Sequence, residues 1–293
     1  MSRTIQYLIP TENVPMGHVI VGQALPTQRI RQVDPFLLLH HAVFEFDDLS
    51  PALHQGLGPH PHRGFTPVTF VIDGEVHHRD SRGNSQIAKR GEVQWMHAGA
   101  GIIHSERPSE DLAQANGGHE IIQLWINSPS ASKMKIPTYQ YIPQADIPWF
   151  TNESDHVSNK LVAGNYQNLK GEIATESELL VLWSQTKTTT GDFDGQQIWE
   201  VPPHMNAMIY MIKGEMRLHG YGMVEKKQLV VLENDSDKIE ATLLPGSELL
   251  VLAGAPHNEK VVQQGPFVMN SETQILEAIR DYQKGKMGVL IEE

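Results

Sequence analysis

The segment Phe70-Val-Ile-Asp-Gly-Glu-Val76 returns 140 residues later as Tyr210-Met-Ile-Lys-Gly-Glu-Met216. A second echo aligns Gly91 through Ala100 with Gly246 through Ala255, so that Ala98-Gly-Ala100 matches Ala253-Gly-Ala255, at an offset of 155. A repeat of this size, written in strand-like text, predicts two tandem copies of one β-unit that differ in loop length. The surrounding chain agrees. Runs rich in β-branched and aromatic residues, among them Val68–Ile72, Val93–Met96, Ile121–Ile126, Leu179–Trp183, Ala207–Ile212, Leu229–Leu232 and Leu249–Leu252, are separated by Gly, Pro, Asn and Asp. That punctuation is the signature of a sandwich or barrel. Asp73-Gly74 and Lys213-Gly214 each close a strand-like run and read as hairpin turns. The polar stretch Thr151–Asn159 has no apolar period and marks the junction. The expected division is therefore residues 1–150 and 151–293. One clear helix is expected at the C-terminal end. Ser271-Glu-Thr-Gln274 is a capping box, Ile275, Leu276, Ile279 and Tyr282 follow on one helical face, and Gly285 stops it. A second, short helix is expected near Ser109–Ala115.

Composition removes several classes of function. The 293 residues contain no cysteine, which excludes disulfides, thiolate metal sites and cysteine nucleophiles and fits a cytoplasmic protein. No apolar run approaches the length of a membrane span, and the first residues carry no signal-peptide core. Net charge is −12, and Lys and Arg are scattered, with Lys226-Lys227 the longest run. Direct nucleic-acid binding is disfavoured, because a phosphate-binding face needs clustered cations.

Two short motifs carry chemistry. His60-Pro-His62 is followed 42 residues later by His104-Ser-Glu106. Residues i and i+2 of a strand project from one face, so each pair can aim two ligands into one cavity. Neutral imidazoles with a carboxylate suit a divalent first-row metal. Either motif alone matches often by chance, and other histidines compete. His77 and His78 are adjacent, so on a strand they face opposite sides. His97 suits a buried hydrogen-bonded role, and His40, His41 and His54 have no pattern. Phe65, Phe70 and Trp95 are candidates for the walls of a pocket, although core packing accounts for them equally well.

The strings around these motifs, Gly58-Pro-His-Pro-His-Arg-Gly-Phe65 and Gly91-Glu-Val-Gln-Trp-Met-His-Ala-Gly-Ala-Gly-Ile-Ile-His-Ser-Glu106, closely resemble the metal motifs of the pirin family, a branch of the cupin superfamily. Asp34-Pro-Phe-Leu-Leu-Leu39 and Gly265-Pro-Phe-Val-Met-Asn270 extend the resemblance toward both ends. It implies an all-β fold of two tandem cupin (jelly-roll-like) β-barrels with a short C-terminal helix. It also implies one metal ion, Fe(II) foremost with Mn, Ni, Cu or Zn as alternatives, on His60, His62, His104 and Glu106. Glu106 is in addition the candidate proton acceptor. One departure is Thr66, where pirins commonly carry a Glu, which removes an expected acidic helper. In the second copy, alignment on Gly214 places Glu200 and Pro202 at the histidine positions, and His257-Asn-Glu259 imitates the second motif out of register. The second barrel is therefore expected to hold no metal. The activity implied is iron-dependent dioxygenase cleavage of quercetin or a related polyphenol, in a monomer whose partners are a flavonol-like small molecule and O₂. The alternative is a non-enzymatic, iron-dependent redox sensor that regulates a transcription factor or metabolic enzyme as its protein partner.

Overall fold

The computed structural model describes residues 2–16, 19–187, 193 and 195–292. The chain forms two compact units. One consists of Val14–Val21, Phe36–Gln144 and His257–Glu293, and the other of Met1–Asn13, Gly22–Pro35 and Ala145–Pro256. They are called the first and second barrel below. A single cut at residue 150 is therefore corrected at both ends. The N-terminal strand Ile5–Pro10 pairs with Gln228–Leu232 and belongs to the second barrel. The C-terminal helix belongs to the first. The reason is strand pairing: each large sheet needs an edge strand, and the second barrel takes it from the chain's beginning.

Both units have the same plan. In the first, a seven-stranded sheet runs in the order Thr138–Ile142, Val93–His97, Phe65–Asp73, Gly118–Asn127, Phe36–Glu45, Val19–Leu25, Glu12–Met16. A four-stranded sheet runs Leu57–His62, Ile102–Arg107, Glu75–Asp80, Ser85–Lys89. In the second barrel the large sheet is Ile5–Pro10, Gln228–Leu232, Asn206–Lys213, Glu248–Gly254, Leu179–Thr186, Val157–Ala163, Trp149–Thr151. Its small sheet is Gln196–Glu200, Lys238–Leu243, Glu215–Leu218, Gly222–Glu225. The two lists match position for position, so the repeat is real and the architecture is that of two cupin-type barrels.

The match corrects two readings of the repeat. Glu248–Gly254 occupies the place of Gly118–Asn127, and the counterpart of Val93–His97 is Gln228–Leu232. The Ala-Gly-Ala coincidence therefore aligns strands that are not equivalent. The two Asp-Gly and Lys-Gly turns are not hairpins either. Phe65–Asp73 and Glu75–Asp80 lie in different sheets, as do Asn206–Lys213 and Glu215–Leu218. Gly74 (φ +69°) and Gly214 (φ +70°) are corners where the chain leaves one sheet for the other. A Cβ at Gly74 would lie 2.1 Å from the Gly118 carbonyl oxygen, which is why glycine stands there.

The helix forms as Glu272–Gln283. The Ser271 hydroxyl accepts from the Gln274 N–H, Gln274 Oε1 accepts from the Asn270 N–H, and Gly285 follows the end at φ +70°. Its buried face is Ile275, Ala278 and the partly buried Ile279, packed on Phe267, Met269 and Met287. Leu276 is instead 65% exposed and Tyr282 partly so. The spacing i, i+3, i+4 describes the buried stripe better than the four residues expected from sequence. The short helix is Glu110–Gln114, with the Ser109 side chain accepting from the Leu112 N–H. No helix among the described residues is long and apolar enough to cross a membrane.

Along Gln196–Glu200 the side chains alternate exposed and buried, which puts Trp199 in the second barrel's core and Ile198 at its surface. Replacing Trp199 with Ala should cost about 3–5 kcal/mol in denaturant unfolding, whereas Ile198→Ala should stay within about 0.5 kcal/mol. In the first barrel, His119 is buried between Phe44 and Phe46, with ring centroids at 4.7 and 4.8 Å. Its Nδ1 donates to the Glu75 carbonyl. Burial pushes its pKa down to about 4. An unfolded chain takes up this proton first, so the associated stability is complete above about pH 6.5 and is lost as pH falls toward about 4. His119→Phe should remove on the order of 3 kcal/mol from that acid-limb dependence, read as the difference in unfolding free energy between pH 7 and pH 4.

Candidate metal centre

Three adjacent strands of the first barrel's small sheet build the site. Register pairs His104 with His60 and Ile102 with His62 on one side. On the other side it pairs His104 with Asp80 and Glu106 with His78. Residues opposite one another in an antiparallel ladder share a face, so His60, His62, His78, Asp80, His104 and Glu106 all project from one side of the sheet. A bulge between His104 and Glu106 shifts the pairing, so that Glu106 faces Leu57.

The three histidines of the two motifs converge. One ring nitrogen from each of His60, His62 and His104 lies within 4.8 Å of the others. The His60 Nδ1–H donates to the Gly58 carbonyl at 2.8 Å, and that of His62 to Pro266 at 3.4 Å, which leaves Nε2 of each as the free electron pair. His104 Nε2 is buried and has no hydrogen-bond partner. An orphaned buried nitrogen is costly unless something else satisfies it, and a metal ion does so directly. Burial first, and then the charge of neighbouring His60, holds the pKa of His62 and His104 well below the ordinary imidazole range. Both are thus neutral, the form that ligates. The cluster can hold a divalent metal.

Glu106 stands beside this cluster and is not part of it. Its Oε1 accepts from the Thr69 hydroxyl at 2.7 Å, and the bulge separates its pairing from that of His104. It lines the same cavity as His60 and His62, a space of about 390 Å³. Much of the remaining wall is apolar and comes from alternate residues of Phe36–Glu45 and Gly118–Asn127, namely Leu38, Ala42, Phe44, Ile121 and Trp125 with His40 and Gln123 among them, and Met16, Val21, Leu57 and Pro266 add to it. A cleft of equal volume in the second barrel, between Ser2–Ile5 and Tyr221, has no such ligand set.

The expected pocket residues are thus replaced. Phe65, Phe70 and Trp95 are buried in the core and do not line the cavity, although Phe65 backs Trp125 at 4.3 Å. The wall was detectable in sequence as i, i+2 sets in two strands, but both faces of those strands are apolar, so nothing told which face looks inward. Thr66 also points elsewhere: its hydroxyl lies 3.2 Å from His97 Nδ1 and is no part of the cavity. The helper position next to the carboxylate is Thr69. As expected, His97 is buried and hydrogen-bonded, also reaching the Ser132 carbonyl.

In the second barrel the same registers identify the true counterparts. Trp199 pairs with Ile239 as His60 pairs with His104, and Leu218 pairs with Ala241 as His78 pairs with Glu106. Val201, hydrogen-bonded to Asp237, stands for His62. The four ligand positions are therefore Trp199, Val201, Ile239 and Ala241, all buried and apolar. Glu200 and Pro202 are one residue out of step, and such a slip moves a side chain to the opposite face. His204 makes an exposed pair with Glu178, and His257–Glu259 belongs to the first unit, where Glu259 accepts from Ser130.

Two cupin-type barrels in one chain, one with a histidine cluster on its cavity and the other filled at the same positions, define a bicupin with a single metal-type ligand set among its described residues. Models of the pirin family and of the pirin C-terminal cupin domain match residues 18–126 and 193–288. The chain belongs to the pirin family. It is 35% identical over 275 residues to a candidate quercetin 2,3-dioxygenase of Pseudomonas aeruginosa, covering 91% of this chain and 93% of that one. It is 32% identical to human pirin, covering 92% and 88%. The crystal structure of a quercetin 2,3-dioxygenase from Acinetobacter baumannii superposes with a TM-score of 0.88 at 32% identity, over 99% of this chain and 100% of that one.

Calorimetric titration of the metal-free protein with a divalent metal should show one tight site. His62→Ala should weaken it by more than the roughly 10- to 100-fold typical of losing an outer partner, with the fold intact by circular dichroism.

Proposed function

We propose that this protein is a metal-dependent dioxygenase that cleaves quercetin or a related enolisable polyphenol with O₂. The observation that carries the reading is the cavity: about 390 Å³, walled by apolar side chains, with His60, His62 and Glu106 facing it. A planar polyphenol suits such a space, because its rings pack on Phe44 and Trp125 while its hydroxyls reach the polar groups. The relatives named for quercetin dioxygenase activity support the same reaction class.

His60, His62 and His104, with Glu106 alongside, would hold the metal, Fe(II) foremost. Such a metal supplies Lewis-acid and redox chemistry toward an ionised hydroxyl and O₂. The chain's own part is to receive and ionise the substrate. Glu106 takes the hydroxyl proton. Thr69 steadies that carboxylate: its hydroxyl donates to Glu106 Oε1 at 2.7 Å, with Gln123 Oε1 2.9 Å away as the alternative acceptor. Burial pushes the pKa of His40 down to about 4, so it enters the cavity wall as a neutral imidazole able to hydrogen-bond a ring hydroxyl. The apolar wall keeps bulk water from the carboxylate and the substrate oxygen.

The test is O₂ consumption by Fe(II)-loaded protein with a flavonol panel. Wild type should consume O₂ in step with substrate loss, and Glu106→Gln should lower kcat by about 10²- to 10⁴-fold, the range for a lost general base. If loaded wild type shows no turnover above free metal, the enzymatic reading falls and the iron-dependent regulatory one takes its place.

A further inference from the structure

His60 and His62 donate their Nδ1 protons to backbone carbonyls. A carbonyl can only accept, so the tautomer of each is forced and Nε2 stays free. His104 has no such guarantee. Its Nδ1 lies 3.4 Å from Nδ1 of a second histidine, His78, which can donate or accept. What decides is Asp80. Its Oδ1 takes the backbone N–H groups of Arg82 and Asn84, at 2.8 and 3.1 Å. Its Oδ2 takes the Asn84 side-chain amide at 2.8 Å and His78 Nε2 at 3.1 Å. With donors on every side, Asp80 is an acceptor only. His78 Nε2 therefore carries a proton, and where that is the only proton on the ring, Nδ1 presents a lone pair and His104 Nδ1 supplies the proton between them. His104 Nε2, buried and otherwise without a partner, is left with its lone pair.

We infer that Asp80 and His78 are positioning residues for the metal centre, acting through His104 by fixing which of its nitrogens is free to ligate. The inference rests on the metal-binding reading of the three-histidine cluster. Three features support it. His78, Asp80 and His104 are all buried, which keeps the chain away from bulk solvent. Register places the pair on the strand next to His104 and on the same face. The His78 ring is held in plane by stacking on Tyr139, 4.2 Å away at 13°. The arrangement sets proton positions and involves no change of net charge. Its consequence is that one of the three ligands depends on a side-chain relay, whereas the other two are fixed by backbone. Exchange of Asp80 for its amide offers an N–H where the carboxylate oxygen stood. That switches the His78 tautomer with the ring in place, so that His78 Nδ1–H points at His104 and the His104 proton moves to Nε2, where it blocks the ligand.

The experiment uses the full metal-free chain with ¹⁵N-labelled histidine. Long-range ¹H–¹⁵N correlation spectra report which ring nitrogen bears the proton, and competition with a chelating dye reports Zn(II) affinity. Wild-type His104 should show the Nδ1–H pattern. Asp80→Asn should move it toward Nε2–H and weaken Zn(II) binding by about 10- to 100-fold. His78→Phe keeps the stacking on Tyr139, removes the acceptor, and should weaken Zn(II) binding by a similar factor. A merely structural pair would lower thermal stability without moving the His104 signals. An Nε2–H or doubly protonated His104 in wild type overturns the inference. So does a folded Asp80→Asn with unchanged His104 pattern and affinity. Should Asp80→Asn fail to fold, the wild-type spectrum and His78→Phe decide. Failure of wild type to bind Zn(II) would overturn the metal reading, and the wild-type tautomer would then judge the inference by itself.

Discussion

The alignment of three neighbouring strands, Leu57–His62, Ile102–Arg107 and Glu75–Asp80, underlies everything the first barrel can do. Backbone hydrogen bonds across these ladders set which side chains stand opposite one another, and opposite residues share a face. Two ladder registers therefore bring six polar side chains from three separate stretches of chain to one side of a sheet. A shift of one residue in either ladder would turn one pair outward. The bulge between His104 and Glu106 adds a finer adjustment, separating the carboxylate from the histidines and giving it to Thr69.

The same constraint explains how two barrels of one topology differ in chemistry. The second barrel keeps the strand order and, apart from that bulge, the registers, but Trp199, Val201, Ile239 and Ala241 occupy the ligand positions. Trp199 fills the interior and its indole N–H donates to Asn159 Oδ1, so the space that is a cavity in one barrel is close-packed core in the other. Apolar burial there stabilises the barrel. In the first barrel polar side chains take those positions, and desolvation holds the pKa of His62 and His104 well below the ordinary imidazole range.

Outer contacts to the ligands come in two kinds. Backbone carbonyls of Gly58 and Pro266 orient two imidazoles as a matter of fold geometry. The third is oriented by side chains, and side chains can be exchanged without disturbing the ladder. A family built on one scaffold can alter its metal chemistry at such a position while the primary ligands stay the same.

The sequence by itself determined the all-β class, the duplication, the C-terminal helix with its Ser271 cap and Gly285 stop, and three histidines with Glu106 as candidate ligands. Each is encoded locally, in period-2 alternation, in capping chemistry or in an i, i+2 pair on one strand. The pirin-like strings added weight that no spacing rule could supply. What tertiary structure alone decided is everything that depends on which strand pairs with which. Gly74 and Gly214 look like hairpin turns in sequence and are corners between sheets, because a tight turn of chain does not say whether its two arms will hydrogen-bond to each other. The counterparts of the ligands in the second barrel are Trp199 and Ile239, and not Glu200 and His257, because face is set by register and register by partners far along the chain. His78 and Asp80 carry the spacing of an i, i+2 pair as plainly as His60 and His62 do, yet only their pairing with His104 and Glu106 gives them a part in the site.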